Sequence, residues 1–244
     1  IFDDVFVNPA ASDTGIPFGA ALYGLHNIIG AASPQENISP FLGPTYSGER
    51  LLEAIASFVG YETVAESAVD KAVELLSQNK IVACFNGRSE IGPRALGNRS
   101  ILMSPLLAEN KETLNSRVKH REAFRPFAPV ALEEVYEDYF EIDRPCPYML
   151  FVPKVKEDKQ SIIPAVTHVD GTGRLQTVSK SENPLLHQII SKFGEITGVP
   201  IILNTSFNDN NEPIVETPED AIKCFSKTNI DALLIENNFI LIKN

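Results

Sequence analysis

Eight basic side chains crowd the stretch from Asn86 to Pro129: Arg88, Arg94, Arg99, Lys111, Arg117, Lys119, Arg121 and Arg125, opposed only by Glu90, Glu109, Glu112 and Glu122. The whole chain of 244 residues carries a formal net charge of -11, so this local reversal of sign asks for a cause. Guanidinium groups bind phosphates and carboxylates bidentately, and glycines such as Gly87 and Gly92 let backbone N–H groups approach an anion closely. A site for a small, highly charged phosphate ligand meets that description. Two further segments offer suitable groups. His168-Val169-Asp170-Gly171-Thr172-Gly173-Arg174 is a polar loop ending in a cation, and Asn204-Thr205-Ser206-Phe207-Asn208 sets polar side chains at the exit of an apolar run. Taken singly, each arginine could pair with a nearby carboxylate, and each loop could be a turn or an Asx cap. Three such segments in so acidic a chain favour one shared anion site.

The positioning elements follow from periodicity. A strand is expected at Val5–Val7, then the turn NPAASDTG holding Asp13, then a helix from Ile16 to Ile29. Residues 31–49 read as loop, rich in proline and glycine, before a second helix from Gly48 to Val59. A boundary falls near Gly60, ahead of a helix over Ser67–Gln78 with Val69, Ala72, Val73 and Leu76 at helical spacing. The apolar run Ile81–Phe85 fits a buried strand leading into the basic loop. A helix is expected over Leu107–Ala123, with Asn115 and Lys119 on one face and Arg117 and Arg121 four residues apart in the same way. Beyond it lie a strand at Tyr148–Val152, a helix near Leu185–Thr197 and a strand at Pro200–Leu203. A helix capped by Thr217 ahead of Pro218 and a hairpin of Ala232–Ile235 with Phe239–Ile242 complete the chain. The class is α/β or α+β with mixed strand order.

Composition narrows the function. A sequence pI near 4.9 argues against nucleic acid or anionic membrane as a partner, since both call for a basic surface. Cys84, Cys146 and Cys224 are odd in number and scattered, which suits free thiols in a reducing compartment and a cytoplasmic location. No apolar run is long enough to span a bilayer. The basic loop matches neither the Walker phosphate loop nor the dinucleotide fingerprint, and the four histidines show no metal-ligand spacing. The chain opens at Ile1 without an initiator Met and reads as a piece of a longer protein.

The segments FNGRSEIGPRALGNRSIL, NSRVKHREAFRPFAPV, HVDGTGRLQTV and LNTSFNDNNEPIVETPEDAIKCF closely resemble the carboxy-terminal half of the NodU/CmcH/TobZ O-carbamoyltransferases. The resemblance implies the end of an actin-like (ASKHA-type) transfer domain over residues 1–60, then a YrdC-like domain over 66–244 with a twisted mixed sheet and flanking helices. It implies that carbamoyl phosphate and ATP, with Mg, form a carbamoyl adenylate in the YrdC-like domain. The other domain, with an Fe-type metal, then passes the carbamoyl group to a substrate hydroxyl. Arg94, Lys119, Arg174 and Ser206 stand where the family contacts carbamoyl phosphate: the arginines at the phosphate and carbamoyl oxygens, Lys119 as a point charge, Ser206 as a hydroxyl donor. Arg88, Arg125, Thr172, Asn204 and Asn208 fall to the nucleotide and its phosphates, while Arg99 and Arg121 are equally open to structural roles. Asp13 matches a metal-binding carboxylate whose histidine partners belong to an earlier part of the family's chain, so it stands here as an orphaned ligand. A homodimer is allowed. Two other readings stay open: a YrdC relative making threonylcarbamoyl adenylate, disfavoured by the acidic pI, and a noncatalytic phosphate- or nucleotide-binding module. A hydrogenase-maturation relative is disfavoured by the missing C-x-x-C pairs.

Overall fold

The computed structural model describes residues 7–32, 39–57, 61–64 and 67–243. The strand expected at Val5–Val7 and the boundary near Gly60 lie largely outside them. The helices are α1 (Ile16–Tyr23), α2 (Gly48–Ala56), α3 (Ala68–Ser77), α4 (Glu109–Leu114), α5 (Tyr136–Tyr139), α6 (Glu157–Gln160), α7 (Pro184–Thr197) and α8 (Pro218–Lys227). The strands are β1 (Tyr61–Val64), β2 (Val82–Phe85), β3 (Arg99–Met103), β4 (Ala128–Leu132), β5 (Gln176–Val178), β6 (Ile201–Ser206), β7 (Ala232–Ile235) and β8 (Phe239–Lys243). They join in one eight-stranded sheet in the order β1-β8-β7-β2-β3-β6-β4-β5. β2 pairs with β7, and β4 with β5, in parallel, whereas the remaining neighbours run antiparallel, so the sheet is mixed as expected.

The central strands are buried on both faces because helices cover each side, which is why β2 and β3 read as short apolar runs without alternation. On one face Phe85, Ile101, Leu203 and Phe207 pack with residues of α2, α5 and α8. On the other, Val82, Cys84, Leu102, Val130 and Ile202 meet α3 and α7. The three cysteines are free and buried, and burial pushes the Cys84 thiol up to about 12. Thr217 caps α8 reciprocally with Asp220, as the Thr-Pro-Glu-Asp run suggests.

Several expectations change. Tyr148–Val152 does not join the sheet. Phe151 makes an isolated bridge to Leu175 and Met149 takes φ 56, in a segment bracketed by Pro145, Pro147 and Pro153 that lack N–H groups for a ladder. β3, β4 and β5 supply strands where none was expected: β3 opens on Arg99 and Ser100, β4 contains Pro129, and β5 closes the polar segment read as loop. The helix expected over Leu107–Ala123 is shorter. α4 passes into one π turn over Asn115–Lys119 and stops at His120, which takes φ 45. Arg117 and Arg121 therefore do not share a helical face.

Candidate anion-binding site

The loop joining β2 to β3 is built on buried polar groups. Glu90 Oε1 accepts backbone N–H bonds from Leu96 (2.7 Å), Asn98 (2.8 Å) and Arg99 (3.3 Å). Burial pushes that carboxyl upward, and the three donors pull against the shift. The Asn98 amide donates to Arg88 O and accepts from Asn86 and Asn183, whose own Oδ1 caps α7 at Leu186. Gly97, at φ +125, leaves no room for a side chain: a Cβ would lie 2.6 Å from Leu186 Cδ2. The loop is thereby locked against α7, with Arg94 exposed on it.

Arg94 opens onto a cavity of about 200 Å³ lined by Pro93, Ala95, Arg121, Arg125, Pro126, Met149, Arg174, Asn204, Thr205 and Ser206 as well. Four arginines line it, and among the described residues no carboxylate does. Arg94 and Arg125 are exposed at the rim, while Arg121 and Arg174 are half-buried. Among the described residues no carboxylate or hydrogen-bond acceptor engages the side chains of Arg94, Arg125 or Arg174, and Arg174 Nε is both buried and unpartnered. Burial, helped by the charges of Arg94 and Arg121, pulls the Arg174 guanidinium down to about 10. Like charges gathered in a desolvated space raise the free energy of the empty site, and an anion relieves it.

Arg121 reaches the cavity because Asn115 holds it. Asn115 is 1% exposed; its Oδ1 accepts from Arg121 Nε at 2.6 Å, and its Nδ2 donates to Arg125 O at 3.1 Å. The Arg121 guanidinium also lies 4.7 Å from the centre of the Phe127 ring. Sequence reading leaned towards a structural role for Arg121; it lines the cavity. Arg99 does have the structural role left open for it. It is 0% exposed, stacks 3.7 Å from the centre of the Phe85 ring, and donates to the carbonyls of Asn86, Gly87 and Asn98.

The other candidates sort by distance from this space. Asn204 and Ser206 line it from the end of β6. Lys119 sits behind Ser206, its Nζ donating to Ser206 O (2.5 Å), Asn208 Oδ1 (2.7 Å) and Asn208 O (3.1 Å). Burial pulls the Lys119 amine down to about 7, with Arg121 adding to the shift, while those oxygens favour an ammonium. The Ser206 hydroxyl donates to Asn208 Oδ1 at 2.6 Å, so its proton is turned away from the cavity. Asn208 thus supports Lys119 and Ser206 from outside the lining. Arg88 is tied to Gly43 O (2.6 Å) and Leu42 O (2.8 Å), away from the cavity. Thr172 donates to Asp170 Oδ1 at 2.7 Å and contacts His168 Nδ1 at 3.1 Å, also outside it. Gln176 went unnoticed in the sequence. It is 2% exposed, donates to Leu96 O and accepts from Asn204 Nδ2.

Asp13 lies exposed in a single 3₁₀ turn over Asp13–Gly15. Among the described residues no three His, Cys, Asp or Glu side chains come together as a metal would require, so the residues described do not fit a metal centre. Among those residues no helix is long and apolar enough to cross a membrane.

Fold and cavity together define a mixed-sheet α/β protein with an arginine-lined cavity. Residues 73–242 match the family described as Carbamoyltransferase C-terminus, and the chain belongs to that family. It is 44% identical over 242 residues to nodulation protein NolO of Bradyrhizobium diazoefficiens, covering 96% of this chain and 44% of the relative. Nodulation protein NolNO of Sinorhizobium fredii is 43% identical, over 98% of this chain and 36% of the relative. The chain therefore spans less than half the length of these curated relatives. A crystal structure of full-length HypF in the phosphate- and nucleotide-bound form aligns with 75% of this chain and 22% of that one, at 21% identity and a TM-score of 0.49.

Proposed function

We propose that the cavity binds the donors of a carbamoyl transfer, carbamoyl phosphate and ATP, and that this part of the protein makes a carbamoyl adenylate from them: water cleaves carbamoyl phosphate to carbamate and inorganic phosphate, and the carbamate oxygen attacks the α-phosphate of ATP with release of pyrophosphate. A partner domain would then pass the carbamoyl group to a hydroxyl acceptor. One observation carries the reading: four arginines and, among the described residues, no carboxylate around one cavity, in a chain of net charge -11. Both donors are polyanions, and transfer at phosphorus rests on positioning and charge neutralisation. Arg174 and Arg121, the more buried pair, suit the phosphate and carbonyl oxygens where charge develops. Arg94 and Arg125 at the rim suit the nucleotide phosphates. Lys119 would act through the Ser206–Asn208 turn, holding the end of β6 against the ligand. A magnesium ion would arrive on the nucleotide, since none of the lining side chains is a carboxylate.

The test is exchange of radiolabelled pyrophosphate into ATP, with and without carbamoyl phosphate. Carbamoyl-phosphate-dependent exchange that is lost in Arg94→Ala and Lys119→Ala is expected. Full exchange in both variants would sink the assignment. Binding of either donor with no exchange would favour a noncatalytic phosphate-binding module.

A further inference from the structure

The cations lining the cavity, Arg94, Arg121, Arg125 and Arg174, can only donate; the Thr205 hydroxyl can act either way, and Ser206 Oγ, its proton given to Asn208 Oδ1, offers an acceptor. Asn204 offers a buried acceptor as well. Its Nδ2 is committed twice, to Ala95 O at 3.1 Å and to Gln176 Oε1 at 2.7 Å. Its Oδ1 is buried and accepts nothing. The orientation of this amide is fixed from outside the cavity. Gln176 Nε2 donates to Leu96 O at 2.8 Å, which leaves Gln176 Oε1 as the atom facing Asn204. Turning the Asn204 amide over would set its oxygen against the oxygens of Ala95 and Gln176, an arrangement of acceptors facing acceptors. A buried acceptor without a donor costs free energy that a ligand N–H recovers.

At neutral pH the polyphosphate chain of a nucleotide supplies almost no such donor, and inorganic phosphate supplies a P–OH but no N–H. A carbamoyl group does: its terminal NH₂ sits beside the carbonyl that the guanidiniums would hold. We infer that Asn204 Oδ1 accepts a hydrogen bond from the carbamoyl NH₂, with Gln176 as the positioning residue, so that this site selects carbamoyl phosphate over acyl phosphates bearing a methyl in place of the amine. The inference rests on the donor reading above and narrows it, and it moves Asn204 from the nucleotide to the carbamoyl group.

Calorimetric titration with three probes tests it: inorganic phosphate, acetyl phosphate and carbamoyl phosphate. Wild-type protein should bind carbamoyl phosphate about tenfold or more tighter than acetyl phosphate, because the analogue leaves the buried oxygen unpaired. Asn204→Leu should bring the two within about twofold. Should the leucine variant not fold, Asn204→Ser also withdraws the oxygen and should give the same loss of preference. Equal wild-type affinity for carbamoyl and acetyl phosphate, with inorganic phosphate still bound, would overturn the assignment and leave the anion site standing. A preference that survives in both variants would overturn it as well. Failure of all three probes to bind would overturn the donor reading and this assignment with it.

Discussion

Two kinds of arginine occupy this molecule, and they differ in what fills the fork. Arg99 is largely filled by the protein: carbonyls of Asn86, Gly87 and Asn98 take donors of its two terminal nitrogens and Phe85 stacks on its plane, while its buried Nε has no partner among the described residues. Arg88 is filled likewise by Leu42 O and Gly43 O. Arg94, Arg125 and Arg174 are left open on a shared cavity. A filled fork is part of the fold, since its removal strands buried carbonyls. An open fork raises the energy of the empty protein and belongs to the ligand. Sequence shows the same residue type in both places; the difference lies in whether acceptors are supplied from within.

The sharpest way to break the distinction is to replace one of each kind. Arg99→Leu should destabilise the fold by about 3 kcal/mol, because the carbonyls of Asn86, Gly87 and Asn98 each lose a donor and the stack on Phe85 is lost with them; urea unfolding measures it. Arg174→Met should do the opposite of a structural loss. Its Tm should hold or rise, since a desolvated like charge is removed, while phosphate affinity should fall about ten- to a hundredfold by calorimetry. A large drop in Tm for Arg174→Met would erase the comparison.

Lys119 stands between the two kinds, filled by oxygens yet buried, and its contribution should appear as a pH dependence. Its amine titrates at about 7 in the folded chain, below its ordinary value of 10.5. Between those values the unfolded chain binds the extra proton, so this group makes stability rise with pH across the window, and contributes no slope below it. Lys119→Met should flatten that rise in unfolding measured from pH 7 to 10. Asn115→Ala, which releases Arg121 without touching the cavity itself, should weaken phosphate binding a few-fold, about 1 kcal/mol, and Asn115→Gln should not fully restore it. Smallest of all, Arg117→Ala removes an ion pair to Asp231 that is partly exposed, and should cost at most about 1 kcal/mol with no change in phosphate affinity.

Much of the framework was legible. α3, α7, α8, β2 and the β7–β8 hairpin follow from spacing, caps and apolar runs that each lie within one segment. The hidden strands share a cause. β4 carries a proline and β5 is a three-residue edge, and both are held by partners remote in sequence, Ala131 by Ile201 and Thr177 by Ala131. The π turn at Asn115–Lys119 was hidden as well, because local propensity does not distinguish it from α-helix. Within the site, Arg94, Arg125, Arg174, Asn204 and Ser206 were legible as candidates. Arg121 passed as structural, because its role depends on Asn115 turning it inward. Gln176 gave no signal, being a polar residue inside a short strand.

The sequence by itself determined that a cationic, glycine-bearing segment stands in an acidic chain, since charge and residue type are local properties. It also determined the family, through motifs of contiguous residues. Tertiary structure alone decided which cations stay open. That choice depends on whether a carbonyl or carboxylate reaches each guanidinium, and acceptors remote in sequence, such as Leu42 O and Gly43 O at Arg88, arrive only when the chain folds.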